Sequence, residues 1–178
     1  MSVRLLSRSS GFTLVELIVV VAIVGLLAAA ATAGYRQVRI RSAEAAAVSS
    51  LNAINQAQFA FMQSCGKGRY APSLVALGSA APGTDGGFIS PDLAASDPLV
   101  KSGYVFVLGG TPATEGGPAC TGAVPLESYR LTADPLQPGV SGQSYFGTNT
   151  DRAIYTGTVS FGEDMPERGA PGRGAEIR

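Results

Sequence analysis

Hydrophobic positions are distributed very unevenly along this chain. From Phe12 to Tyr35 it reads FTLVELIVVVAIVGLLAAAATAGY, with one charge, Glu16, and the next only at Arg36. The uncharged stretch Leu17 to Tyr35 is 19 residues long. As a helix it spans about 28 Å at about 1.5 Å per residue, against a hydrocarbon core of about 30 Å. From Tyr35 to Met62 the pattern turns amphipathic, and neither proline nor glycine interrupts it. Ala47, Leu51, Ile54 and Phe61, with Val48 and Met62 beside them, recur at helical spacing, while Arg36, Arg39, Arg41, Glu44, Asn52 and Gln56 occupy the other faces. The two patterns predict one helix from Phe12 to Met62, 51 residues or about 76 Å long. Residues 12–35 are its membrane half and 36–63 the spine of a soluble head. The run Ser64-Cys65-Gly66-Lys67-Gly68 ends it.

Beyond Gly66 short apolar pieces alternate with Pro and Gly clusters. Pro72 to Leu77 predicts a helical turn or two, and Ser90-Pro91-Asp92-Leu93 a short-helix start. Strands are predicted at Gly103–Leu108 and at Ser128–Ala133, where Asp134-Pro135 ends the run. Ser144–Thr148 and Ala153–Thr156, split by Asn149-Thr150-Asp151-Arg152, predict a hairpin. The expected fold is α+β: a long N-terminal helix packed against a small antiparallel sheet of three to four strands. The head covers 64–163, and the polar, Gly/Pro-rich 164–178 reads as a flexible tail.

Composition narrows the function classes. The chain has no histidine and no tryptophan, and 13 basic side chains balance 13 acidic ones. Without histidine there is no His-based triad, His metal site or histidine general base. No GxxxxGK[ST], CxxC or His/Cys cluster is present, so an enzyme is not expected. With no basic surplus, nucleic-acid binding is not indicated either.

The N-terminus carries the most specific signal. MSVRLLSRSSG is short and basic, with Arg4 and Arg8 and no acid. Positive charge stays cytoplasmic, so an N-in, C-out single-pass orientation follows. A secretory signal peptide is the alternative, with Ala29-Ala30-Ala31 as one plausible cleavage region. Glu16 argues against it: a carboxylate at mid-membrane costs about 2.5–3.5 kcal/mol, less near an edge, and a plain signal or anchor has no use for one. Gly11-Phe12-Thr13-Leu14-Val15-Glu16 followed by the apolar run resembles the class III signal of type IV pilins and type II secretion pseudopilins.

That resemblance implies cleavage of the leader, residues 1–11, after Gly11 by a prepilin peptidase on the cytoplasmic side, and N-methylation of Phe12. It also implies that Glu16 neutralises the α-ammonium of a neighbouring subunit in a self-assembled helical polymer, where a low dielectric makes an unpaired charge expensive. An inner-membrane assembly platform with its cytoplasmic ATPase would be the further partner. The helix-disrupting glycine common in the family is present as Gly25, whereas Ala33 stands where a proline is frequent. An exported head lies in an oxidising space, so Cys65 and Cys120 are expected to pair, two free thiols being the alternative. Such a bridge is worth about 4 kcal/mol in the chain-entropy model.

In the head, Tyr70–Leu74, Gly103-Tyr104, Tyr129–Pro135 and Gly142–Phe146 resemble glycine-rich heads similar to the major pseudopilin. Major pseudopilins bind calcium, an ion that takes six to eight oxygens. Asn149, Asp151, Glu163 and Asp164 are the weak candidates, solvated surface acids being the plainer reading, and no cofactor is expected. The favoured function is a structural subunit of a type IV pilus, starting in the bacterial inner membrane and ending outside the cell. The alternative is a pseudopilin in a periplasmic secretion pseudopilus. A solitary membrane-anchored binding module is a distant third. Loss of Arg4 and Arg8 leaves 11 basic against 13 acidic side chains, net −2, which opposes duplex affinity.

Overall fold

The computed structural model describes residues 11–177. Apart from Gly11, the expected leader therefore lies outside the described residues, as do Arg178 and the side chains of residues 30–33, Ala33 among them. The chain forms two compact units, one ending at Val38 and one beginning at Arg39.

In the first unit, helix α1 (Leu14–Ser64) begins after Thr13. The Glu16 N–H donates to Thr13 Oγ1 at 3.2 Å, and the Leu17 N–H donates to the Thr13 carbonyl at 3.2 Å. Thr13 is thus the N-cap, satisfying one of the orphan donors of the first turn. The apolar part of α1 reaches a mean hydropathy of 2.8 over its most apolar 18 residues, and none of that window is buried. Length and composition suffice to cross a membrane.

In the second unit the stripe on α1 is the core of the head. Ala47, Leu51, Ile54 and Phe61 are fully buried, and Val48 packs beside them. Three polar residues of α1, Ser50, Asn55 and Gln58, are buried as well. Helix α2 (Leu74–Gly78) is the short turn predicted after Pro72; Ser73 caps it by accepting from the Ala76 N–H at 3.0 Å. Ser90 to Leu93 closes only a turn, through the Leu93 N–H to the Ser90 carbonyl.

The sheet has six strands rather than three to four: β1 (Leu99–Lys101), β2 (Tyr104–Pro112), β3 (Leu126–Pro135), β4 (Tyr145–Asn149), β5 (Ile154–Gly157) and β6 (Ala175–Glu176). They pair in chain order, every neighbour antiparallel, as a meander. β2 to β5 fall on the four runs predicted, with Gly103, Ser144 and Ala153 just outside the strands, and Asn149–Arg152 makes the expected hairpin between β4 and β5. β1 and β6 are the additions. β1 is only three residues long and enters β2 through Ser102 and Gly103, at φ 51° and 82°. Two consecutive positive φ angles make the tight hairpin whose twist suits paired strands.

Residues 164–177, expected as a flexible tail, are instead fastened to the sheet. β6 pairs with β5, and Met165 is buried with Phe161 and Tyr155 in a second small apolar cluster. Gly147 on β4 makes room for that cluster: a Cβ there would lie 2.8 Å from Met165 Sδ and 3.2 Å from the Phe161 ring. Gly/Pro-rich composition reads as disorder, but the polar groups of this segment find partners far away in sequence, and composition does not reveal those.

Candidate functional site

The N-terminal site follows from where the helix begins. Gly11 and Phe12 precede α1 and are exposed, Phe12 at 77%, so the peptide bond between them lies outside helical structure and open to solvent. A Cβ on Gly11 would meet nothing within 4 Å. Glu16 lies in the first turn of the helix and is exposed, four residues from Phe12. Helical side chains lean toward the N-terminus, so the carboxylate leans toward the end where cleavage would create an ammonium. The unpaired N–H groups of the first turn favour an anion there as well. Among the described residues this carboxylate has no ion pair.

Thr13 was not singled out by its sequence context, although the signal is present. Thr13-Leu14-Val15-Glu16 is the S/T-x-x-E spacing of a capping box, and the Thr13 half of it is formed. The cap fixes the first helical turn and with it the position of Glu16 relative to Phe12.

Residues 6–32 match the family model described as the prokaryotic N-terminal methylation motif. The chain carries the processing signal of the type IV pilin and pseudopilin family. Comparison with curated proteins and with solved structures finds no match. The motif implies prepilin peptidase processing and assembly into a pilus-type polymer. The strongly apolar stretch of α1, with none of its most apolar 18-residue window buried, fits insertion into a membrane.

In the head, Cys65 and Cys120 form a disulfide with Cα atoms 4.9 Å apart. It joins the turn after α1 to the loop between β2 and β3, where the Cys120 N–H also donates to the Cys65 carbonyl at 3.0 Å. Beside it Arg69, nearly buried, donates to the carbonyls of Glu115, Gly116 and Gly117. One guanidinium so satisfies three backbone acceptors of that loop, a role invisible in sequence because no pattern links position 69 to 115–117.

Asn149, Asp151, Glu163 and Asp164, the candidate calcium ligands, are occupied differently. The Asn149 amide donates to the carbonyls of Pro166 and Gly169 at 3.0 and 2.7 Å, and its oxygen accepts from the Asp151 N–H at 3.1 Å. Asp151 accepts from the Gly169 N–H at 2.6 Å, and Asp164 pairs with Arg173 at 2.8 Å. Glu163 is exposed in the 3-10 turn Gly162–Asp164. Among the described residues no three His, Cys, Asp or Glu side chains come together as a metal site.

A different carboxylate dominates this region. Glu167 accepts from the N–H and hydroxyl of Thr111, both at 3.1 Å, from the Ser128 hydroxyl, and from Arg130 at 3.4 Å. Partial burial raises its pKa, but these donors, Ser128 foremost, outweigh that and hold it below the ordinary carboxylate value. Asp134 behaves oppositely. Burial raises its pKa, the Ser160 hydroxyl only partly offsets this, and among the described residues one of its oxygens has no partner.

Proposed function

We propose that the chain is a structural subunit of a type IV pilus. It would be processed after Gly11, methylated at Phe12, and polymerised through its apolar helix by an inner-membrane platform and cytoplasmic ATPase, ending outside the cell. The observation that carries this reading is the apolar first half of α1 with a single acid, Glu16, four residues from Phe12 and within the processing motif. Such a helix is stable only in lipid or packed against copies of itself, because its apolar surface is otherwise left in water. Moving from lipid into a filament core requires the new ammonium and Glu16 to find opposite charges, and a staggered neighbour offers both.

The disulfide-closed loop and the fastening of the C-terminal segment by protein groups support an independently stable head of the kind an extracellular fibre needs. The likeness of Tyr129–Pro135 and Gly142–Phe146 to the major pseudopilin favours the second reading, a subunit of a periplasmic secretion pseudopilus. The test of the shared step is Glu16→Leu. Processing at Gly11 should persist while filament yield falls at least tenfold; a wild-type yield of filaments would refute the role given to Glu16.

A further inference from the structure

Three arginines follow directly on the apolar run, at positions 36, 39 and 41. All three are exposed, and among the described residues none has an ion-pair partner. The chain supplies no acid between Glu16 and Glu44. Glu44 is itself engaged, its Oε1 accepting from the N–H groups of Gln143 and Ser144 at 2.9 and 3.0 Å. Tyr35, 69% exposed, stands at the boundary between the apolar run and these charges, an arrangement that suits the aromatic belt of a membrane interface.

We propose that Arg36, Arg39 and Arg41 form a cationic collar that binds anionic phospholipid headgroups on the exported face of the membrane and holds the unassembled subunit at a set depth. The proposal rests on the reading of residues 17–35 as membrane-spanning. Dimensions favour it. From position 36 to 41 a helix rises about 7.5 Å, and the headgroup layer on each side of a bilayer is about 5–8 Å thick. The run before it is long enough to put that layer at Arg36.

The angular spread of the charges favours lipid over a protein partner. At about 100° per residue, Arg36 and Arg39 share one flank of the helix while Arg41 lies on the opposite one. A second protein docking on one face would reach only part of this set; headgroups surrounding the helix reach all of it. Charge bias gives the collar a purpose. The leader contributes Arg4 and Arg8 on the cytoplasmic side, and cleavage after Gly11 removes both, leaving three arginines on the exported side. The basic excess that favours an N-in orientation is then gone, and phosphate contacts at the far interface take over the positioning. Anionic surfaces attract such juxtamembrane arginines and release them as salt rises.

The chain contains no tryptophan, so Tyr35→Trp gives the full-length protein a single reporter at the collar. The variant is placed in phosphatidylcholine vesicles containing a small fraction of phosphatidylglycerol. A nitroxide near the headgroup is carried by phosphatidylglycerol in one preparation and by phosphatidylcholine in the other, at equal mole fraction. The expected result is several-fold stronger quenching by labelled phosphatidylglycerol. The preference should fall toward one in high salt and in the combined Arg36→Gln, Arg39→Gln, Arg41→Gln variant. Equal quenching by both lipids would overturn the collar while leaving the membrane reading intact; no quenching by either would overturn the membrane reading itself. Persistence of the preference in the triple variant would also overturn the proposal. So would an absent preference accompanied by self-association in phosphatidylcholine that the triple variant abolishes, since acids of a second copy would then be the partner.

Discussion

The side-chain amide of Gln58 closes a two-bond bridge with the backbone of Ala71: Nε2 donates to the Ala71 carbonyl at 3.0 Å, and Oε1 accepts from the Ala71 N–H at 2.8 Å. Both residues are fully buried. The preceding residue, Tyr70, exchanges both backbone hydrogen bonds with Leu126 of β3, and the amide on the core face of α1 serves Ala71 where that pairing does not reach. Gln58→Leu should keep the volume but orphan a buried donor and acceptor, at about 1–3 kcal/mol for each group left unsatisfied. A fall in the denaturation midpoint of the full-length protein in detergent, monitored by near-ultraviolet circular dichroism, checks this. An unchanged midpoint would show that Ala71 finds other partners.

Two carboxylates of the head should respond to pH with opposite sign. Glu167 has a folded pKa below its ordinary value of 4.5. Its contribution is therefore present above that value and lost as pH falls through the folded pKa. Asp134 has a raised folded pKa, chiefly from burial. The folded state then binds its proton more readily, so its charged form opposes folding at neutral pH and the penalty is relieved on acidification. Glu167→Gln should lower the melting temperature at pH 7 and flatten its decline below about pH 4.5. Asp134→Asn should raise the melting temperature at pH 7. Thermal melts across pH 3–7 distinguish the two, and shifts of the same sign at neutral pH would refute this assignment.

The fastening of the C-terminal segment predicts a head that is stable without calcium. Asn149 and Asp151 already bond the backbone of residues 166–169, and Asp164 faces Arg173. A cation would have to displace these contacts to gain its oxygens. Melting temperatures in chelator and in millimolar calcium should coincide; a rise of several degrees with calcium would contradict the arrangement.

Periodicity made much of the head legible. Ala47, Leu51, Ile54 and Phe61 follow the helical repeat, and all four are buried. Runs such as Tyr104–Leu108 and Tyr129–Ala133 announced β2 and β3 by composition. What stayed hidden depends on distant partners. β6 is two residues inside a polar segment, recognisable only once β5 offers an edge. Asn55 sits on the buried stripe because the Tyr129 hydroxyl donates to its oxygen at 2.9 Å and its amide donates to Thr148 at 2.9 Å, across 74 and 93 residues of chain. Glu44, read as a polar-face residue, caps the approach to β4 through Gln143 and Ser144. At the N-terminus the processing motif is legible because its chemistry is local, and the capping spacing of Thr13 is equally local.

Cleavage after Gly11 with retention of the apolar helix in a polymer is the central claim, and the intact mass of the protein in filaments sheared from its native cells tests it most directly. The mass should correspond to a chain beginning at Phe12, one methyl heavier and two hydrogens lighter for the Cys65–Cys120 disulfide. A processed, methylated form recovered only from the cell envelope would favour the pseudopilus over the pilus. A functional form that still carries residues 1–11 would contradict the account.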